Sequence, residues 1–237
     1  MENKEPMNLT GKERSAYVQN LFTRIAGKYD LMNRLMTIGQ DMSWRVEVLR
    51  RAELPIEGSL LDLGAGTGDL ARLAAEQISP ARVVAADFTF EMMRAGRKPS
   101  DQFHWTNADA LNVPFRDTSF DAVVSGYLMR NVIDRPLALR EQLRVLKPGG
   151  RVVILDTTRP RRNLFSPFIW IHLHLIIPFL GTLLTGQSDA YTYLPDSTEE
   201  FLSAEELGQR LVEAGFEEVG YRTFMFGTMA IHWGRRP

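Results

Sequence analysis

The sequence contains no cysteine, which excludes disulfides, thiolate metal sites and cysteine nucleophiles in one step. An excess of either charge is missing too: 28 Lys and Arg stand against 29 Asp and Glu, for a net charge of −1. Nothing global advertises nucleic acid or an anionic surface, so no nucleic-acid partner is expected. The opening stretch, MENKEPMNLTGKERS, is charged and lacks the apolar centre of a signal peptide. Repeats and low-complexity segments are absent. So is an uninterrupted apolar run of membrane-spanning length. Residues 164–184 come nearest, but Pro167, Pro178, His172 and His174 break them up. These absences fit a reducing cytosol, with contact at the inner face of a membrane left open.

What is present is the composition of a soluble globular protein, 44% hydrophobic and 24% charged over 237 residues, enough for one large domain. Residues 13–51 carry helical spacing, with Tyr17, Leu21 and Ile25 and then Leu31 and Leu35 at intervals of threes and fours. Beyond Pro55 the pattern alternates. Strands are expected at 59–63, 82–86, 103–107, 120–125 and 151–155. Helices are expected at 69–77, 90–97 and 135–146, and the turn Lys147-Pro148-Gly149-Gly150 leads into the fifth strand. This is an α/β pattern, with a mostly parallel sheet and helices on both faces. Ser203, with Glu206 three residues on, reads as a capping box, and that helix is expected to end at Ala214-Gly215. Strands at 216–221 and 225–233 complete seven, the last pair an antiparallel hairpin at the sheet edge.

The strongest local signal is Leu61-Asp62-Leu63-Gly64-Ala65-Gly66-Thr67-Gly68-Asp69, where a strand turns into a helix. Glycines at 64, 66 and 68 let backbone approach a ligand closely, but their spacing departs from the GxGxxG of a dinucleotide site. A carboxylate, Asp62, stands before them. That suits S-adenosylmethionine (SAM), which carries an amino-acid end and a sulfonium instead of a pyrophosphate. Asp87 ends the second strand, where a carboxylate can accept from both ribose hydroxyls. Asn107, Ala108 and Asp109 follow the third strand, placed to read the adenine edge, and Gly126 ends the fourth. All lie at carboxyl ends of parallel strands, where open α/β sheets bind ligands. The competing reading makes Asp87 and Asp109 simple helix caps.

Four segments carry a family likeness. They are Lys28-Tyr29-Asp30-Leu31-Met32-Asn33 with Trp44 downstream, the glycine loop through Thr67-Gly68-Asp69, Arg130-Asn131-Val132 running on to Lys147-Pro148-Gly149-Gly150, and residues 191–233 with Tyr193-Leu194, Ala214-Gly215-Phe216 and Ala230-Ile231-His232. Through these the chain resembles the UbiE/MenG family of quinone-biosynthesis C-methyltransferases. The resemblance implies a Rossmann-like class I methyltransferase that transfers a methyl group from SAM to a ring carbon of a polyprenylated quinol. It places Thr67, Asp87, Asn107, Ala108 and Gly126 at SAM, and Tyr29, Arg130 and Asn131 at the acceptor. The polar residues 1–12 are expected to be loose, ahead of a single domain over 13–237. Within that domain, 13–55 form a helical cap over the substrate and 159–200 an apolar lid. A lipophilic quinol, a transient membrane contact and room for a homodimer complete the expected partners; no metal is expected.

Five residues at three places depart from the family's usual pattern. Asp41 stands where a histidine precedes the tryptophan, Asp156-Thr157-Thr158 replaces Glu-Phe-Ser after the fifth strand, and Gly126 replaces a serine. Asp41 reads either as a proton acceptor or as the N-cap of the helix holding Trp44. The apolar stretch, preceded by Arg159, Arg161 and Arg162, reads either as a membrane-facing lid or as a buried hairpin of core helices. A different phenolic acceptor, a SAM-binding module without catalysis and a nicotinamide oxidoreductase are the alternative functions. Retention of Arg130-Asn131 argues against the second, and the glycine spacing against the third.

Overall fold

The computed structural model describes residues 11–79, 82–159, 166–185, 193 and 197–237. Arg161, Arg162, Leu164, Tyr191 and Leu194, and the stretch 1–10, lie outside the described residues. Three helices open the chain: α1 (Gly11–Ile25), α2 (Tyr29–Met36) and α3 (Asp41–Ala52). Then come β1 (Leu60–Leu63), α4 (Asp69–Ala75), β2 (Val83–Asp87), α5 (Phe90–Gly96), β3 (His104–Asn107), β4 (Phe120–Gly126), α6 (Arg135–Val145) and β5 (Leu146–Thr157). An apolar helical stretch consists of α7 (Ser166–Ile171), a π-helical turn (His172–Ile176) and α8 (Ile177–Thr185). Helix α9 (Ala204–Glu213) and strands β6 (Glu217–Phe224) and β7 (Met229–Arg235) close the chain.

The seven strands are ordered β3-β2-β1-β4-β5-β7-β6. The first five are parallel, and β7 runs antiparallel between β5 and β6. The chain winds from β1 outward to β3, then restarts at β4 on β1's other side. That reversal opens a crevice beyond the carboxyl ends of β1 and β4, the usual ligand position in such sheets. Alternation along the strands feeds two cores. Leu60 packs with Trp44, Val48 and Leu70 on the face covered by α3 and α4. Leu61 packs with Leu139, Leu207 and Leu211 on the face covered by α6 and α9. A third cluster of Leu21, Ile25, Met32, Ile177 and Tyr193 ties the N-terminal helices to α8.

Local signals were honoured where they were strong. The capping box forms with both its hydrogen bonds, and Gly215 takes φ +103° just beyond α9. Two boundaries differ most from the sequence reading. The Lys147–Gly150 turn is absorbed into β5 as an irregularity, since pairing passes from Phe120↔Leu146 to Ala122↔Arg151. The last strand begins at Met229, because the hairpin tip needs a reversal. Met225, Phe226 and Gly227 provide it at φ +45°, +56° and +88°. In the apolar stretch, Pro178 has no N–H for the carbonyl of His174, and the helix passes this point through the π-helical turn. Among the described side chains of this stretch, burial is uneven. Ile177 is 6% exposed, whereas Trp170, Leu175 and Phe179 are 54%, 54% and 67% exposed. Among the described residues no helix is long and apolar enough to cross a membrane.

Candidate active site

The β1–α4 turn forms the floor of the crevice. Gly64, Gly66 and Gly68 all take positive φ (+74°, +56° and +85°). A Cβ on Gly64 would stand 2.9 Å from the Leu128 side chain, so only glycine fits there. Asp87 organises the turn from the neighbouring strand: the Gly66 N–H donates to its Oδ2 and the Thr89 N–H to its Oδ1, both at 2.7 Å. Burial pushes the Asp87 carboxyl above its ordinary range, against the pull of these bonds. Thr67 Oγ1 donates to Asp30 Oδ1 at 2.6 Å, clamping the start of α2 onto the glycine turn.

The crevice continues as a cleft of about 890 Å³ that includes Gly64, Gly66, Asp87, Ala108, Asp109 and Gly126 in its lining. Asn107 is not in that lining. Its Nδ2 donates to the carbonyls of Asp87 and Phe88, bracing the loop after β2 from behind. Asp109 lines the cleft while its Oδ1 accepts from the Leu111 N–H. Helix α1, read from sequence as part of a substrate cap, lines this cleft with Ser15, Val18, Gln19 and Phe22.

A smaller recess opens at the glycine turn, with Asp62 and Arg45 in its lining. Asp62 is 1% exposed; its Oδ2 accepts from the Ala71 N–H, and its Oδ1 has no partner among the described residues. Burial raises its pKa to about 7. A carboxylate with a free buried oxygen opposite a buried guanidinium fits a zwitterion, the amino-acid end of SAM. Asp87 with the glycine cradle fits the ribose. Arg45 went unnoticed in the sequence, though a salt-bridge spacing to Asp41 was there to be seen. Arg45 Nη1 meets Asp41 Oδ2 at 2.6 Å in a buried ion pair. Asp41 is thus not the N-cap, a position held by Gln40, and its carboxylate is committed to Arg45 instead.

Behind the crevice lies a second chamber of about 590 Å³, with Met36, Met225 and Met229 among its apolar walls and Arg130 and Thr157 as polar groups. Arg130 is 4% exposed and its Nη1 donates to Asp156 Oδ1 at 2.7 Å. Asp156, seen in the sequence only as a departure, is the counter-ion of Arg130. Asn131 turns the other way: its Nδ2 donates to the Tyr127 carbonyl, and its Oδ1 accepts from Tyr193 Oη. The Arg-Asn pair is divided between the two cavities, and Tyr29 lines the cleft and recess but not the chamber. Burial raises the Tyr29 pKa, with the Arg130 charge opposing.

One residue that sequence spacing did not reveal lines all three spaces. Tyr127 follows β4 at φ +61°, is 8% exposed, and has a hydroxyl with no partner among the described residues. The guanidinium carbon of Arg130 lies 5.1 Å from its ring centroid, and that of Arg45 6.0 Å. His172 and His174 do not converge. The first pairs with the Met36 carbonyl and the second with Glu199.

Residues 10–236 match the model of the ubiE/COQ5 methyltransferase family. The chain is 46% identical to the ubiquinone/menaquinone biosynthesis C-methyltransferase UbiE of Desulfotalea psychrophila, covering 92% of this chain and 89% of that protein. It is 40% identical to the demethylmenaquinone methyltransferase of Thermus thermophilus, covering 92% of this chain and all of that protein. Among solved structures, a SAM-dependent methyltransferase of Thermotoga maritima shares the fold (TM-score 0.62, 21% identity, 92% of this chain and 99% of that one). With a family match over nearly the whole length and relatives at this identity, the chain belongs to the ubiE/COQ5 methyltransferase family.

Proposed function

We propose that this methyltransferase moves a methyl group from SAM to a ring carbon of a lipid-tailed hydroquinone. The observation that carries the reading is the shared wall. The chamber with the buried Arg130–Asp156 pair stands back to back with the glycine cradle, separated by Tyr127. The names of the relatives, which act in ubiquinone and menaquinone biosynthesis or on demethylmenaquinone, support the substrate class. Bound SAM supplies an electrophilic methyl group on a sulfonium. The protein's main contribution is to hold the two partners in line. A ring carbon becomes nucleophilic when a neighbouring hydroxyl ionises, and a free phenol titrates near ~10. Arg130 stays protonated and so stabilises a phenolate instead of taking its proton; the proton passes to water. Its Nη1 is held by Asp156, but its buried Nε has no partner among the described residues, which leaves a donor for the acceptor's oxygen. The test is product mass analysis after incubating protein and SAM with a panel of reduced quinones and unrelated phenols. Methylation of the phenols alone overturns the reading.

Asp62 gives this function a pH signature. Its folded pKa is raised, so the empty protein favours the protonated acid and loses stability as pH climbs from the ordinary carboxylate range through about 7. A ligand ammonium favours the ionised form. SAM affinity should therefore rise about tenfold between pH 6 and 8, with proton release on binding near pH 7, until the cofactor's own amine begins to titrate. Calorimetry in buffers of different ionisation heats measures both. Flat affinity without proton release removes Asp62 from the amino-acid site.

The outward apolar side chains of α7 and α8 are, in this proposal, the face that meets a membrane and admits the isoprenoid tail. Ile171 and Leu175 are exposed, so Ile171→Asp and Leu175→Asp should leave the melting temperature unchanged, whereas Ile177→Asp, at a buried position, should lower it. The first two should lose liposome binding and roughly tenfold of the activity on a long-tailed quinol, with activity on a tail-less quinol retained. Equal loss on both substrates excludes a tail-specific role.

A further inference from the structure

We infer that Tyr127 is an acceptor-binding residue, whose hydroxyl donates a hydrogen bond to the ring oxygen of the acceptor alongside Arg130. The inference rests on the function proposed above and adds to it a residue and a contact.

The backbone is the first observation. A bulky residue at φ +61° is strained, at a cost of order 1–3 kcal/mol, and such conformations persist where surrounding structure enforces them. Here it is enforced from two sides. The Tyr127 N–H donates to the Leu155 carbonyl at 2.7 Å, and the Tyr127 carbonyl accepts from Asn131 Nδ2 at 2.9 Å. Asn131 is in turn fixed by Tyr193. The Arg-Asn pair thus acts on two fronts: Arg130 lines the chamber, while Asn131 holds the neighbouring tyrosine in place.

The second observation is the hydroxyl. Phenylalanine would fill the same space among Trp44, Val124 and Leu155 without placing an unpaired hydroxyl in the interior. Burial keeps the Tyr127 phenol neutral and therefore a donor, even with Arg45 and Arg130 nearby. The third observation is company. Arg130 Nε and Thr157 Oγ1 are also buried without partners among the described residues, and both residues line the same chamber as Tyr127. Two unpaired donors and a hydroxyl, on three residues that line one apolar space, suit a flat ring carrying oxygen. They do not suit a hydrocarbon, which would leave all three unsatisfied. Tyr127 also borders the cofactor cleft, so an oxygen held there lies near the wall across which the methyl group must pass.

The experiment uses the full chain and 1,4-naphthohydroquinone under anaerobic conditions. Tyr127→Phe keeps the ring and removes only the hydroxyl. The expected result is a loss of about tenfold to 150-fold in kcat/KM and in hydroquinone affinity, the range for one hydrogen bond to a charged oxygen. SAM affinity should stay within about twofold, and the melting temperature of the empty protein should be equal or higher, because an unpaired buried group is gone. If Tyr127→Phe binds and methylates the hydroquinone as wild type does, the inference fails while the proposed function stands. A fall in melting temperature, or a parallel loss of SAM affinity, also overturns it, since the hydroxyl would then be serving the fold or the cofactor. A wild type that methylates no hydroquinone overturns the proposed function, and this inference with it.

Discussion

Arg130→Ala should lower turnover by roughly 10²–10³ while leaving SAM affinity nearly unchanged, the scale observed when a single donor to a developing anion is removed. It should also destabilise the protein, and the two effects have separate causes. Asp156 is 1% exposed, and losing its partner leaves a buried carboxylate with, among the described residues, the N–H groups of residues 130 and 157 as its donors. Breaking such a pair from one side costs about 3–5 kcal/mol. The double variant Arg130→Met, Asp156→Leu removes both charges and should recover much of that stability without recovering turnover. Arg130→Lys should rescue the charge but not the fork that reaches Asp156 and the chamber together, and so restore turnover only in part. Melting curves, SAM calorimetry and single-turnover methyl transfer on the same four proteins separate these outcomes. Equal losses of SAM affinity and turnover in Arg130→Ala would instead place the residue in the cofactor site.

The elements were legible in the sequence wherever a local rule decided them. Strand, glycine turn and helix at residues 60–75 announce themselves by composition, and the Ser203–Glu206 box needs only four residues to define a helix start. The candidate cleft was legible as a set of strand ends, because each carboxyl-terminal position is marked by a polar residue or a glycine. Partnerships were not. Arg130 and Asp156 are 26 residues apart and become neighbours only through the β4–β5 register that pairs Gly126 with Leu155. The same register makes Leu155 the acceptor for the Tyr127 N–H. Asn107 shows a related limit. Its position at the end of β3 is the expected one, and its amide is turned onto the β2 loop, which position alone could not say. Asp41 misled for a similar reason. An aspartate before a helical run suggests a cap, but an arginine four residues later offered a stronger, buried partner.

The cofactor side gives the second large effect. Asp87→Ala should weaken SAM binding by at least about 100-fold, more than the loss of one charge-assisted bond. In the proposed site the carboxylate has two tasks at once. Its oxygens accept the Gly66 and Thr89 N–H groups at 2.7 Å, fixing the glycine turn against the loop after β2. The same oxygens keep further lone pairs for the two ribose hydroxyls. Alanine removes both sets, so the turn loosens as the ribose loses its acceptor. Asparagine is no remedy, because its NH₂ would oppose a backbone N–H where a second acceptor is required. Asp87→Asn should therefore fall close to alanine in SAM affinity, although it is nearly the same shape. Burial raises the Asp87 pKa, so affinity that depends on its ionised form should decline as pH falls through that raised value. The loop and ribose contributions separate in one thermal experiment. The melting temperature without SAM reports the loosened turn, and the rise on adding SAM reports what binding remains. Should Asp87→Ala keep wild-type SAM affinity by calorimetry, the ribose assignment is wrong, and the carboxylate serves only to hold the turn.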